Sequence, residues 1–201
     1  MEANVNPRQA ASADRREFVA ALLAKLPDAL VITGLGSPTY DVFAAGDRDR
    51  NFYLWGAMGG ASIMGLGLAI ARPDQQVLVI TGDGEQLMGL GGLSTIGAQQ
   101  PKNLTIVVLD NGHFGETGMQ RSHTSLGTDL AAVARACGIG NAFRVEDMSG
   151  VDRIAEAALA RGGTCFAQVI VKADDLPRAL PSRDGVHLKN RFRKELGLDP
   201  L

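Results

Sequence analysis

Short apolar runs alternate with stretches of helical periodicity from residue 14 onwards. Asp14 precedes Phe18, Val19, Leu22, Leu23 and Leu26, whose spacing predicts a helix capped by Asp14 and stopped by Pro27. Residues 29–33 are apolar and close on Gly34-Leu35-Gly36-Ser37-Pro38, the pattern of a buried strand entering a turn. Residues 51–54 form a weaker strand candidate. Residues 59–71 are small and apolar throughout and predict a buried helix packed closely on its neighbours, with Pro73 as its stop. A strand over 77–80 then runs into Thr81-Gly82-Asp83-Gly84, and a helix is expected from about Glu85 to Gln99. Residues 104–109 make the clearest strand, followed by a polar, glycine-containing loop to Thr128. A helix over 130–137, a strand over 143–145, a helix over 151–161, a strand over 165–171 and a last helix over 184–196 complete the alternation.

Continuously apolar strands alternating with helices predict an α/β fold of three layers, a mostly parallel sheet with helices on both faces. In such sheets ligands bind at the carboxyl ends of the strands. The segments 34–38, 82–84 and 110–118 each follow a strand directly, so all three are expected on one rim. Residues 1–13 read as a flexible tail and 14–201 as one domain, with the segment from about 176 onwards a candidate partner contact.

Composition narrows the function classes. Hydrophobic residues at 45% and charged residues at 21% are ordinary for a globular chain. A formal charge of −2 gives no basic footprint for nucleic acid or an anionic membrane, so a bound anion must be held by local geometry. Cys137 and Cys165 have no metal or redox spacing and read as buried free thiols. The sequence carries no signal pattern and no run of about 18 apolar residues, so a cytoplasmic location is expected. Most of the 25 glycines fall between Gly34 and Gly127, a stretch that needs many tight backbone approaches.

Asp83 and Asn111 carry the candidate chemistry. Magnesium takes hard oxygen ligands, commonly one or two from protein with phosphate oxygens and water completing the shell. A carboxylate and an amide oxygen, each after an apolar strand, with 26 residues between Gly84 and Asn111 for a helix and a returning strand, can meet at one ion. Gly82 and Gly84 allow backbone N–H groups to approach a diphosphate, and the helix expected from Glu85 would point its positive end at that charge. Singly, Asp83 also fits a helix-capping Asp-Gly turn, and Asn111-Gly112 also fits a plain turn.

The combination of strand, Gly-Asp-Gly, helix, strand and Asn resembles the thiamine diphosphate enzyme superfamily, over about residues 30–171. That resemblance implies the thiamine diphosphate-binding fold in its diphosphate-binding (PP-type) form. It also implies thiamine diphosphate and Mg²⁺ as cofactors, and Asp83, Asn111 and the backbone carbonyl of His113 as metal ligands. Gly82, Gly84, Glu85, Phe114 and Gly115 would line the diphosphate, with Gly36 and Ser37 facing it from the first loop. Trp55-Gly56-Ala57-Met58-Gly59 resembles the segment in which a glycine carbonyl accepts from the aminopyrimidine and a Met or Ile wedges the cofactor into its bent form. Gly56 and Met58 take those places, although Met58 also fits ordinary core filling. Asp47-Arg48-Asp49-Arg50-Asn51-Phe52-Tyr53, with the Gly56 segment and the loop from Asp110 to Gln120, resembles the cofactor-binding (β) subunit or domain of sulfopyruvate and phosphonopyruvate decarboxylases. Glu85 departs from the pattern, since many relatives carry Ser or Ala there. An acid beside a diphosphate must point away, pair with a cation or bind through its backbone.

The resemblance also implies a glutamate, carried by a separate pyrimidine-binding domain, that activates the cofactor. This chain has room for one α/β domain only, so a partner (α) subunit in a hetero-oligomer such as α2β2 or larger is expected, with a small anionic 2-oxo acid as substrate. His113, Glu116 and Thr117 are the candidate catalytic residues near the thiazolium, although a loop His is also commonly a solvated polar residue. Arg121 and His123 are candidates for a second anionic group on the substrate, or a surface charge pair. Lys189, Arg191, Arg193 and Lys194 read as a solvated helix face or a partner contact. The alternatives are a thiamine-dependent synthase or oxidoreductase of the acetolactate synthase kind, and a non-catalytic cofactor-binding domain. A nicotinamide site at Gly34-Leu35-Gly36 lacks its third glycine, because Thr39 stands there.

Overall fold

The computed structural model describes residues 13–199. In chain order the elements are α1 (Arg15–Lys25), β1 (Leu30–Thr33), α2 (Ser37–Ala44), β2 (Asn51–Tyr53), α3 (Ala61–Ala71), β3 (Val77–Gly82), α4 (Asp83–Met88) and α5 (Gly92–Gln99). Then follow β4 (Leu104–Asp110), β5 (His113–Phe114), β6 (Gln120–Arg121), α6 (Leu130–Ala136), β7 (Asn141–Val145), α7 (Gly150–Ala160), β8 (Cys165–Ile170) and α8 (Gly185–Glu195). Six strands make one sheet in the order β2-β1-β3-β4-β8-β7, with every neighbouring pair parallel.

The apolar strands alternate between two cores, which is why they show no polar face. Val31, Leu78, Ile80, Val107, Leu109, Ala167 and Val169 pack with Phe18 and Leu22 of α1, Val42 of α2 and Ile154 of α7. Ile32, Val77, Val79, Ile106, Val108 and Phe166 turn to the other face, against Leu66 of α3, Leu93 and Ile96 of α5, and Leu130 of α6. Three layers result, as the residue pattern predicts. Gly65 sets the closeness of α3, since a Cβ there would stand 2.3 Å from Cγ2 of Val79. Asp14 caps α1 as expected, accepting the N–H groups of Arg16 and Glu17 at 2.8 and 2.9 Å.

Four expectations need correction. Residues 34–38 do not form a turn alone: Ser37 opens α2, with Gly36 as the preceding residue at φ +77° and Pro38 in the first turn. The helix expected over 85–99 starts at Asp83 and is broken between α4 and α5 at Gly89, where the Gly59 carbonyl passes so close that a Cβ would stand 2.2 Å from it. The glycine-loop backbone passes there and the helix yields to it. The loop to Thr128 contains the short antiparallel pair β5/β6 and two 3₁₀ turns, Gly115–Thr117 and His123–Leu126. Of the tail expected over 1–13, residues 1–12 lie outside the described residues, whereas Ala13 is buried and its carbonyl accepts the N–H of Lys172.

Three features position the site. After β1 the chain moves to β2 on one side, while β3 pairs with β1 on the other, so the β1/β3 boundary is the switch point of the sheet. The loop after β1 leads to α2 over one face and the corner after β3 leads to α4 and α5, the latter over the opposite face. Diverging loops open a crevice at the carboxyl ends of β1, β3 and β4.

Candidate functional site

Asp83 follows β3 directly, and its carboxylate is buried at 2% exposure. The Ser122 hydroxyl donates to Oδ2 of Asp83, and the Thr124 hydroxyl lies 3.0 Å from the same oxygen. Thr124 also lies 2.8 Å from Oδ1 of Asp110, whose carboxylate accepts the Gly112 N–H at 3.0 Å and Nε2–H of Gln168 at 2.6 Å. A buried network thus orients Asp83 from beneath. None of Ser122, Thr124, Asp110 and Gln168 is singled out by the residue pattern. An acid ending the otherwise apolar β4 was the available signal for Asp110.

Asn111 follows Asp110 and turns the chain: its Oδ1 accepts the His113 N–H at 2.9 Å. Nδ1 of His113 lies 2.8 Å from the Asn111 carbonyl oxygen. A carbonyl only accepts, so Nδ1 carries the proton and Nε2 is left to face other groups. Phe114 then packs on the first turn of α4, where a Cβ on Gly84 would stand 2.5 Å from its ring. Gly84 is the residue that lets β5 approach α4 so closely.

One cavity of about 130 Å³ lies in the crevice. It brings together Ser37, Met58, Gly82, Asp83, Gly84, Glu85, Asn111, His113, Phe114, Gly115, Glu116 and Thr117, all expected from the sequence. Gly36, Gly56 and Ala57 do not line it; Gly56 and Ala57 are exposed beside Met58 at its edge. Arg15 lines the cavity and is not predicted. Its Nη1–H bonds Oδ2 of Asp41 at 2.6 Å. Burial pushes the Asp41 carboxyl up, against the pull of the Arg15 and Arg16 guanidiniums.

Glu85 resolves differently from each option open to it. Its carboxylate is buried, with Oε2 accepting the Leu35 N–H at 2.8 Å and Oε1 the Gly59 N–H at 3.3 Å. Backbone N–H groups, not a cation, satisfy it. Burial raises its pKa, and hydrogen bonding from the Thr81 side chain and from the backbone N–H groups of Leu35, Gly59 and Ala61 holds the rise back.

The catalytic candidates divide. His113 is half-buried in the cavity wall, while Glu116 and Thr117 stand exposed at its mouth. Glu116 Oε2 accepts the Tyr40 hydroxyl at 3.3 Å and lies 3.4 Å from Nη2 of Arg178. The Thr117 hydroxyl donates to Oε1 of Gln120 at 2.9 Å. Arg121 and His123 lie off the cavity, and Arg121 folds onto the Ser125 carbonyl at 2.7 Å.

In Asp47-Arg48-Asp49-Arg50-Asn51-Phe52-Tyr53 the charged residues 47–50 lie at the amino end of β2, opposite the rim, and Asn51–Tyr53 are β2 itself. Arg48 and Arg50 bond the carbonyls of Pro27 and Asp28 before β1, and Asp47 accepts the Tyr53 hydroxyl at 2.8 Å and Arg191 at 2.6 Å. Arg191 is therefore not on a solvated face, since it joins α8 to the β2 edge, where Phe192 packs on Phe52. Of the two thiols, Cys165 is buried and Cys137 half-buried.

The donor set fits a hard divalent cation: one carboxylate, one amide oxygen and a neighbouring backbone carbonyl. Among the described residues no three His, Cys, Asp or Glu side chains cluster as a metal site. No described helix is long and apolar enough to cross a membrane.

Comparison with known proteins agrees with this geometry. The chain is 40% identical over 183 residues to the sulfopyruvate decarboxylase subunit beta of Methanothermobacter thermautotrophicus, covering 91% of this chain and 95% of that protein. It is 38% identical over 192 residues to phosphonopyruvate decarboxylase of Streptomyces viridochromogenes, covering 92% of this chain and 47% of that one, so it spans about half of the longer relative. Among solved structures it superposes on benzoylformate decarboxylase from Polynucleobacter necessarius with a TM-score of 0.66 at 20% identity, covering 85% of this chain and 35% of that chain. It spans about a third of that enzyme, and the likeness is one of fold. Residues 39–169 match the thiamine pyrophosphate enzyme family, C-terminal TPP binding domain, and the chain belongs to that family.

Proposed function

We propose that this chain is the Mg²⁺- and thiamine diphosphate-holding subunit of a cytoplasmic 2-oxo acid decarboxylase whose substrate carries a second anionic group. One observation carries the reading: a single crevice at the switch point gathers Asp83, Asn111, His113 and Gly84, the residues the family resemblance assigns to metal and diphosphate. The names of the relatives, sulfopyruvate and phosphonopyruvate decarboxylases, supply the substrate class.

In this reading Asp83, Asn111 and the His113 carbonyl hold the metal. The Ser122 and Thr124 hydroxyls keep the Asp83 carboxylate in one orientation. Ser37, Gly82, Gly84, Phe114 and Gly115 form the walls around the diphosphate, and Gly56, Ala57 and Met58 form the shelf for the rest of the cofactor. Thiamine diphosphate when bound supplies the nucleophilic carbon and the electron sink for loss of CO₂ from a 2-oxo acid. His113, with Nδ1–H committed to the Asn111 carbonyl, presents Nε2 as the proton-exchanging atom. Glu116 and Thr117 stand at the mouth, where substrate enters.

The same geometry supports a partner. The cavity is smaller than the roughly 300–1,000 Å³ typical of small-molecule sites. Gly56 and Met58 stand exposed beside it, as half of a site shared with a pyrimidine-binding subunit would. The relative matched over 95% of its length is itself named a beta subunit. Exposed Leu180 and Val186, on the segment from about 176 onwards, remain for a partner contact in a hetero-oligomer such as α2β2. Free cysteines suit a reducing compartment.

The test is CO₂ release by this chain reconstituted with the product of its neighbouring gene, on sulfopyruvate, phosphonopyruvate, pyruvate and longer 2-oxo acids. Stoichiometric CO₂ with the corresponding aldehyde supports a decarboxylase. Condensation of two oxo acids into one product would reassign the chain to a synthase.

A further inference from the structure

We infer that Arg15 is the cationic contact for the diphosphate in this cavity. The inference rests on the cofactor reading above and extends it to a residue outside every motif that reading uses. Arg15 is the one lysine or arginine among the described residues lining the cavity, whose remaining formal charges are the carboxyl groups of Asp83, Glu85 and Glu116. A diphosphate brings at least two negative charges to that wall. One divalent ion, partly offset by Asp83, leaves an anion beside acids with little to oppose it.

The setting of Arg15 differs from that of an ion pair serving only to join α1 to α2. Arg15 is 4% exposed, its guanidinium held by Nη1 to Oδ2 of Asp41 at 2.6 Å and set 3.4 Å from the carbonyl of Ser37, which lines the same cavity. Asp41 is fully buried and shared, since Nε of Arg16 lies 3.2 Å from its other oxygen. Two guanidiniums on one carboxylate leave a net positive charge at this wall. Nε of Arg15 is buried and has no hydrogen-bond partner among the described residues. A charged N–H left unpaired in the interior is costly, and a phosphate oxygen is the acceptor a guanidinium matches best.

Arg15 also stands where two cavities meet. A second cavity, of about 200 Å³, shares Arg15, Ser37, Asn111, Gly115 and Glu116 with the first and opens towards Arg178. The acids Glu116, Asp174 and Asp175 line it. Both cavities hold three acids and the second adds Arg178, so it is the divalent ion expected at Asp83 that favours an anion held by Arg15 on the first, diphosphate side.

The experiment titrates inorganic pyrophosphate with Mg²⁺, and separately thiamine diphosphate with Mg²⁺, into the full chain by calorimetry. The variants are Arg15→Met and the double variant Arg15→Met with Asp41→Asn, which removes the buried charge together with its partner. Thermal unfolding of each checks that the fold is retained. Arg15→Met is expected to weaken both ligands by about tenfold or more, the size of one charge-assisted hydrogen bond. The double variant is expected to unfold like wild type yet bind as weakly as the single one. Wild-type affinity in a folded double variant would overturn the inference, because Arg15 would then serve only to neutralise Asp41. A loss seen in kcat/KM for the 2-oxo acid alone, with pyrophosphate binding intact, would also overturn it in favour of a substrate contact. If wild type binds neither ligand, alone or reconstituted with its partner subunit, the cofactor reading falls and takes this inference with it.

Discussion

Oε2 of Glu85 accepts the backbone N–H of Leu35 at 2.8 Å, and that bond ties the loop after β1 to the corner after β3. Gly34 exists in its present form because of it: a Cβ there would lie 1.8 Å from the same oxygen. Gly34→Ala is expected to push the carboxylate off its donors and cost about 1–3 kcal/mol of stability. Glu85→Ala should cost a similar amount by leaving two backbone N–H groups without their acceptor. The two losses should not add, and a double-mutant cycle by urea unfolding measures the coupling. Full additivity would mean that the carboxylate and the glycine do not share this contact.

Thr124→Val removes the hydroxyl between Asp83 and Asp110 at little change in volume. The single O–H can serve only one of the two buried carboxylates at a time, and that carboxylate loses its donor, so the variant should be less stable by about 1–3 kcal/mol. It should also gain less protection from Mg²⁺, because the Asp83 carboxylate is no longer held in one orientation. The readout is the shift in Tm with increasing Mg²⁺ and thiamine diphosphate. An undiminished shift would show that Asp83 needs no support from Thr124.

The Cys165 thiol is pushed up to about 12 by burial, against an ordinary value of 9.0. The folded thiol therefore keeps its proton where the unfolded one ionises. That contribution to stability is complete below about pH 9 and is lost as pH rises towards 12, with a slope of at most about 1.4 kcal/mol per pH unit. Cys165→Ala should flatten this alkaline loss in denaturant titrations. Thiol labelling at neutral pH should reach the half-buried Cys137 first and Cys165 only on unfolding. Equal labelling rates would contradict the burial of Cys165.

Local pattern and tertiary contact divide what the chain discloses by itself. The strands at 30–33, 77–82 and 104–110 are legible because both faces of each are apolar, and the sequence alone puts their loops on one rim. Asp83 and Asn111 follow from that placement and His113 from the family resemblance, and one cavity gathers all three. The start of α2 was hidden by Gly36-Ser37-Pro38, which reads equally as a turn and as a helix opening with proline in its first turn. The break between α4 and α5 comes from the Gly59 carbonyl meeting Gly89, a contact between segments 30 residues apart. Arg15 sits in a polar stretch beside Arg16, and only the packing of α1 on α2 makes one of the two a cavity wall. The motif from Asp47 to Tyr53 taught the opposite lesson, since its resemblance lies in residues that pin α8 and the β2 edge, away from the rim.

The most direct test is calorimetric titration of thiamine diphosphate into the wild-type chain and into Asp83→Ala, each reconstituted with its partner subunit, with Mg²⁺ and with a chelator. Wild type should bind saturably only when Mg²⁺ is present, and Asp83→Ala should show no Mg²⁺-dependent binding. Absence of binding by wild type, or equal affinity in the two proteins, would contradict the assignment of Asp83 to the metal that holds the cofactor.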